Sequence, residues 1–170
     1  MEKKYKLTEE TINVGDKTLY RIEALRDFSN VEKGDKGGYI ENEKNLSQSG
    51  DCWVYGNAKV FGNAKVFGNA KVFINANIYG NAEVYNNAKV FANAKVYDDA
   101  KVYDDAEVYD NAEVCGKAEI YGNAEVCDNA KICDDAKVYD NALVCDYARI
   151  YGNAQVCSNT IVYGDAVVCG

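Results

Sequence analysis

From residue 51 onward, apolar and polar positions recur with a period of six. Every sixth residue from Val54 to Val168 is Val or Ile, twenty positions without an exception, and every sixth residue from Ala58 to Ala166 is Ala except Thr160. Tyr, Phe or Cys follows the aliphatic residue, then mostly Gly or Asp, then mostly Asn or Asp, as in Val54-Tyr55-Gly56-Asn57-Ala58-Lys59. Ala and Val two apart, with a charged residue between them, give the alternation of a short strand buried on one side. Gly-Asn, Asp-Asp or Asp-Asn supplies a corner, because Gly and Asn tolerate the positive φ that a sharp bend demands. One corner per hexad closes as a triangle of three hexads, an eighteen-residue coil with Val and Ala inside. Twenty hexads give nearly seven coils, which at about 4.8 Å of strand spacing stack into a prism roughly 30 Å long. Disordered low-complexity repeats rarely reserve a β-branched residue for one slot and a methyl group for another, so this repeat is built to stack.

Residues 1–50 carry ten acids and nine basic residues and show no period. Lys17-Thr18-Leu19-Tyr20-Arg21-Ile22-Glu23-Ala24-Leu25 alternates like a strand, and Asn13-Val14-Gly15-Asp16 and Lys36-Gly37-Gly38 read as turns. Fifty residues seldom bury enough apolar surface to stand alone. The expectation is an N-terminal capping region, 1–50, folded over the first coil of a β-helix spanning 51–170, where it hides open strand edges.

Residues eighteen apart then lie above one another. One outward column reads Lys65, Glu83, Lys101, Glu119, Lys137, Gln155, and its alternating signs favour this register, since like charges at strand spacing repel. Beside it run Phe67, Tyr85, Tyr103, Tyr121, Tyr139 and Cys157, whose rings can stack along the solenoid. A second face carries Trp53, Lys71, Lys89, Glu107, Glu125, Leu143, Ile161 beside Tyr55, Phe73, Phe91, Tyr109, Cys127, Cys145, Tyr163. Here the last two coils turn apolar: Leu143, Cys145, Ile161 and Tyr163 are expected to form an exposed patch, which Val167 and Cys169 extend onto another face. Such a cluster at a solenoid end invites a partner, and these six residues are the candidate interface for self-association into a dimer or trimer.

The repeat resembles the hexapeptide unit of the left-handed parallel β-helix, in which an aliphatic residue points inward, an Asn three later turns the corner and a small residue follows it inward. The entry segments Gly34-Asp35-Lys36-Gly37-Gly38-Tyr39-Ile40-Glu41 and Glu43-Lys44-Asn45-Leu46-Ser47, followed by Cys52-Trp53-Val54-Tyr55-Gly56-Asn57-Ala58, are similar to uncharacterised prophage and bacterial hexapeptide-repeat proteins of the YdcK-like type. The resemblance implies an all-β, left-handed β-helix with a small N-terminal cap. It also implies the acyltransferase activity often attached to this repeat, with an acyl-CoA donor.

Composition works against that activity. The chain has no His, and enzymes of the resembling fold commonly use His as base and often wall the acyl-carrier site with a loop that interrupts the coils. The six-residue register here is unbroken. Triads, histidine zinc sites and the carbonic anhydrase use of this fold are excluded on the same ground. Ice binding fails for want of a Thr column, only four Thr being present. A net charge of −8 disfavours nucleic acid and anionic membrane. No apolar run reaches the roughly eighteen residues of a membrane span, and no apolar segment follows the charged start, so a cytoplasmic location and no membrane contact are expected.

Six of the seven Cys (115, 127, 133, 145, 157, 169) stand in the outward aromatic slot, where a small half-buried filler is the simplest role; Cys52 falls in the inward Ala register. Cys115 stacks with Cys133 and Cys127 with Cys145, but two thiols without a third ligand make a weak metal site. Asp110, Asp128 and Asp146 form an acidic column near Asp99, Asp105 and Asp135 that calcium could bridge, although solvent and salt relieve such columns too. No catalytic, cofactor or metal residues are therefore assigned. The favoured reading is a non-enzymatic binding or assembly protein, with a second copy, a host protein or a small molecule as partner; the alternative is a hexapeptide-repeat acyltransferase in which a carboxylate replaces the usual His base.

Overall fold

The computed structural model describes residues 2–170. Strand β1 (Tyr5–Val14) pairs antiparallel with β2 (Lys17–Ala24), and β2 with β3 (Lys36–Ile40); the rest is a parallel β-solenoid of about seven turns. Among the described residues there is no α-helix, only a 3-10 turn at Glu43–Asn45, and no helix is long and apolar enough to cross a membrane.

From Trp53 onward each strand is a rung of two or three residues, and the rungs stack into three faces. The cap face begins with the antiparallel strands and ascends from Lys59–Val60 to Val167–Cys169; the tryptophan face runs from Trp53–Val54 to Ile161–Val162; the tyrosine face runs from Lys65–Val66 to Gln155–Val156. Partners are eighteen residues apart, as in Lys65 with Glu83 and Lys101 with Glu119, which is the expected coil. The rungs pair sideways because the amide of one coil reaches a carbonyl of the next, for instance Phe91 N to Val108 O at 3.0 Å. The inward Val, Ile and Ala side chains are buried along one continuous core, with Cys52 in an Ala place. Each Val so enclosed contributes about 1.5–3 kcal/mol relative to exposure, and the repetition supplies the stability that two-residue strands lack.

The corners explain the Gly, Asn and Asp slots. Their first residue takes positive φ throughout, as in Gly56 at 60° and Asp98 at 59°. The second, usually Asn, hydrogen-bonds its counterpart one coil up, as Asn63 Nδ2 does to Asn81 Oδ1 at 3.1 Å.

At the N-terminal end the solenoid begins earlier than its hexads do. Tyr39 and Ile40 pair in parallel with Lys59 and Val60, and Leu46 bridges to Val66, at an offset of twenty residues instead of eighteen. Gly37 is obligatory at this entry, since a Cβ there would lie 2.5 Å from the Val54 carbonyl oxygen and 2.6 Å from Ile22 Cγ1. The buried Lys4 donates from Nζ to the carbonyls of Cys52 at 2.8 Å and Gly50 at 3.2 Å, and lies 3.3 Å from Cys52 Sγ. Tyr5 Oη donates to Leu46 O at 2.6 Å. Phe28 and Tyr5 set their rings edge-on to Trp53, at centroid distances of 5.3 and 6.1 Å. Side-chain donors and aromatic rings thus cover the carbonyls and the apolar surface of the first coil.

Candidate functional site

The outward slot between Ala and Val decides what each face offers to solvent. Sixteen of its twenty positions from Trp53 to Val167 are polar or charged, and the apolar ones are Trp53, Leu143, Ile161 and Val167. On the tyrosine face this slot forms the sign-alternating ladder, with Lys65 3.7 Å from Glu83 and Lys137 3.3 Å from Glu119. The neighbouring rings stack nearly parallel, Phe67 on Tyr85 at 4.8 Å and Tyr103 on Tyr121 at 5.0 Å. Tyr103 Oη donates to Glu119 Oε2 at 2.8 Å, which ties the ring column to the charge column.

The six candidate interface residues fall on two faces. Leu143 pairs with Ile161 on the tryptophan face, where Cys145 and Tyr163 stand in the aromatic slot; Val167 and Cys169 lie beside Arg149 and Tyr151 on the cap face. Leu143 and Cys145 are half-buried, whereas Ile161, Tyr163 and Val167 are 58, 66 and 55% exposed and Cys169 is exposed too. The exposed apolar surface is therefore concentrated in the highest coil, around the Gly164–Asp165 corner, and the coil below contributes less. Tyr147 and Tyr151 enlarge it, being 62 and 40% exposed. Tyr147 was legible as an anomaly, the one aromatic residue in the slot that Asn or Asp usually fills. An open depression of about 520 Å³ lies beside Tyr151, lined by Lys131, Cys133, Asp134 and Arg149. Nothing in the residue pattern marks it, because its walls come from two coils and a corner.

The stacked thiols differ in their surroundings. Cys115 is pulled down to about 7, first by a hydrogen bond from Cys133 and then by Tyr97 and nearby Lys131, against the effect of burial; the Cys133 thiol rises correspondingly. Burial pushes Cys127 up to about 11 and raises Cys145 as well. The thiol of Cys127 is 3.8 Å from Asp128 Oδ2.

The acidic columns have a structural occupation that the sequence did not disclose. Corner carboxylates reach up one coil and accept backbone N–H groups: Asp128 Oδ2 from Asp146 N at 3.2 Å, Asp146 Oδ2 from Gly164 N at 2.9 Å, and Asp140 Oδ2 from Ser158 N at 3.0 Å. Of the proposed calcium column, Asp128 and Asp146 are thus engaged with the backbone above them. Asp99 and Asp105 accept from Asn81 and Asn87 below.

No protein-family model matches this sequence, and no curated protein does. The fold itself defines the class: a parallel β-solenoid with an antiparallel N-terminal cover.

Proposed function

We propose that this protein is a non-enzymatic binding and assembly module that self-associates through its C-terminal coils. The observation that carries the reading is the fate of the four apolar residues in the outward slot. Trp53 is buried by Tyr5 and Phe28, so the cap gives it an apolar partner. Ile161 and Val167 occupy the same slot at the other end and remain more than half exposed, with Tyr163 beside them. Removing apolar area from water is worth about 25 cal/mol per Å² before the entropy cost of association is subtracted, and a second copy offers a matching patch. The rungs carrying these residues also stand last in their sheets, which leaves strand edges open to pairing.

The same reading takes the coils as left-handed, on the strength of the hexad and its Asn corner, and a crystal structure decides the hand. It takes a host protein or a small molecule held between copies as a further partner, in keeping with the prophage resemblance. Native mass spectrometry of the protein purified from bacterial cells would reveal such a companion, and bare chains alone would remove it. For self-association, the test is light scattering on Ile161→Asp/Val167→Asp beside the unaltered protein. The unaltered chain should give the mass of a dimer or trimer and the double variant that of a monomer, with both melting cooperatively. Equal masses would overturn the proposal.

A further inference from the structure

The two stacked thiol pairs differ in the corner residue that follows the lower thiol, Gly116 in one and Asp128 in the other, and that corner separates them as ligand sets. We infer that Cys127, Asp128 and Cys145 form a binding site for a soft, thiophilic metal cation of the Zn²⁺ or Cd²⁺ kind. Their ligand atoms, two sulfurs and one carboxylate oxygen, all lie within 4.8 Å of one another. The sulfurs come from successive rungs of the tryptophan face, where rings occupy the slot below at Phe73, Phe91 and Tyr109. At these two rungs thiols take the place of rings, with Cys127 buried and Cys145 half-buried.

Asp128 is the third ligand that vertical thiol stacking alone does not provide. It follows Cys127 at the corner, and the N–H of Asp146, the residue after Cys145, holds its Oδ2 at 3.2 Å. That tether brings the carboxylate across from the lower rung to the upper one, beside both thiols. The other pair lacks this feature. The corner residue after Cys115 is Gly116, which has no side chain, and Asp134, after Cys133, reaches upward to Gly152 N at 3.0 Å, away from Cys115.

The donor set selects the metal class. Thiolates favour soft and borderline cations over Ca²⁺ or Mg²⁺, which require several oxygens. Two metal–sulfur bonds of about 2.3 Å at a tetrahedral angle place the sulfurs about 3.8 Å apart, so the pair closes by about 1 Å or less through rotation of the two Cys side chains. On binding, each thiol gives up its proton to solvent, the divalent charge is balanced by two thiolates, and the carboxylate takes a third position. The fourth position faces water. The chain's net charge of −8 attracts the cation to the surface in the first place.

The experiment is titration of the full chain with Cd²⁺, kept reduced with a phosphine, following sulfur-to-cadmium charge-transfer absorbance. One Cd²⁺ per chain should bind in the tightest step, with Zn²⁺ competing and Ca²⁺ leaving it unchanged. Cys127→Ser or Cys145→Ser should abolish that step. Asp128→Asn, on a corner that tolerates Asn, should weaken it roughly tenfold or more while leaving the melting temperature of the metal-free protein nearly unchanged. The double variant Cys115→Ser/Cys133→Ser should retain it. Loss of the tight step in that double variant, or unaltered affinity in Asp128→Asn, would overturn the inference. It does not depend on self-association, since the binding step is read in monomer and oligomer alike.

Discussion

At the scale of single residues, the corner is where this chain is most constrained and where it departs most visibly from its own rule. Ile74 takes a φ of 65° at a position that Gly, Asn or Asp fills in most coils, and it is half exposed, so no burial compensates a β-branched side chain held in the left-handed region. That conformation costs an ordinary L-residue about 1–2 kcal/mol. Ile74→Asn should therefore raise stability by about 1 kcal/mol, read as a higher denaturation midpoint with an unchanged slope; a lower midpoint would mean that the Ile side chain contributes more packing against Phe73 and Tyr55 than its exposure indicates. Glu10 offers a pH test. Arg21 Nε donates to it at 2.7 Å and Lys36 Nζ at 3.1 Å, and these hydrogen bonds, Arg21's first, pull its carboxyl from an ordinary 4.5 down to about 2. Because the folded value lies below the unfolded one, its stabilising contribution is complete above about pH 4.5 and is lost as the pH falls towards 2. Glu10→Gln should flatten the decline of stability between pH 4.5 and 2; an identical pH profile would contradict this. The Asn and Asp slots were readable as corners from composition alone. The upward reach of Asp128, Asp140 and Asp146 to backbone N–H groups was not, because it depends on where a carboxylate lies relative to the coil above.

At the scale of the coil, the stacking register follows from charge and size together. The ladder Lys65, Glu83, Lys101, Glu119, Lys137 could be aligned on the sequence because a spacing of eighteen places opposite charges in register, and the rungs do pair that way. Lys101→Glu would put three carboxylates in a row at strand spacing and turn two attractive neighbours into repulsive ones. At about 0.2–1 kcal/mol for each cross-strand pair, thermal unfolding should show a loss of about 1 kcal/mol that shrinks in high salt. A variant as stable as the parent at low salt would show the ladder to be ornamental. The tryptophan face was equally legible as a column but less so in its purpose, since it stacks Lys71 under Lys89 and Glu107 under Glu125. The entry coil was the least legible element. Ile40 and Leu46 pair at an offset of twenty residues, and the segment from Ser47 to Asp51 absorbs the difference before Cys52 enters the repeat. A six-residue period cannot announce a place where it is not yet established.

At the scale of the molecule, the two ends of the solenoid are unlike. One is covered by β1 and β2, with Lys4, Tyr5 and Asn45 donating to carbonyls of the first coils and Phe28 closing over Trp53. The other presents Ile161, Tyr163, Val167 and Cys169. This asymmetry was visible in the sequence as the change from charged to apolar residues in one slot, because a strict repeat makes every exception count. What the repeat could not convey was how the exposure divides: Leu143 and Cys145 sink into the ladder, while Tyr147 and Tyr151 emerge to take their place on the surface. Nor could it reveal that Asp128 stands beside both Cys127 and Cys145, since that grouping requires the corner to be followed from one coil to the next. Sedimentation equilibrium of the unaltered, reduced protein from low to high micromolar concentration tests the role of the exposed C-terminal end most directly. Self-association through the C-terminal coils requires a concentration-dependent shift to the mass of a dimer or trimer, and a single monomeric species at high micromolar concentration would contradict it.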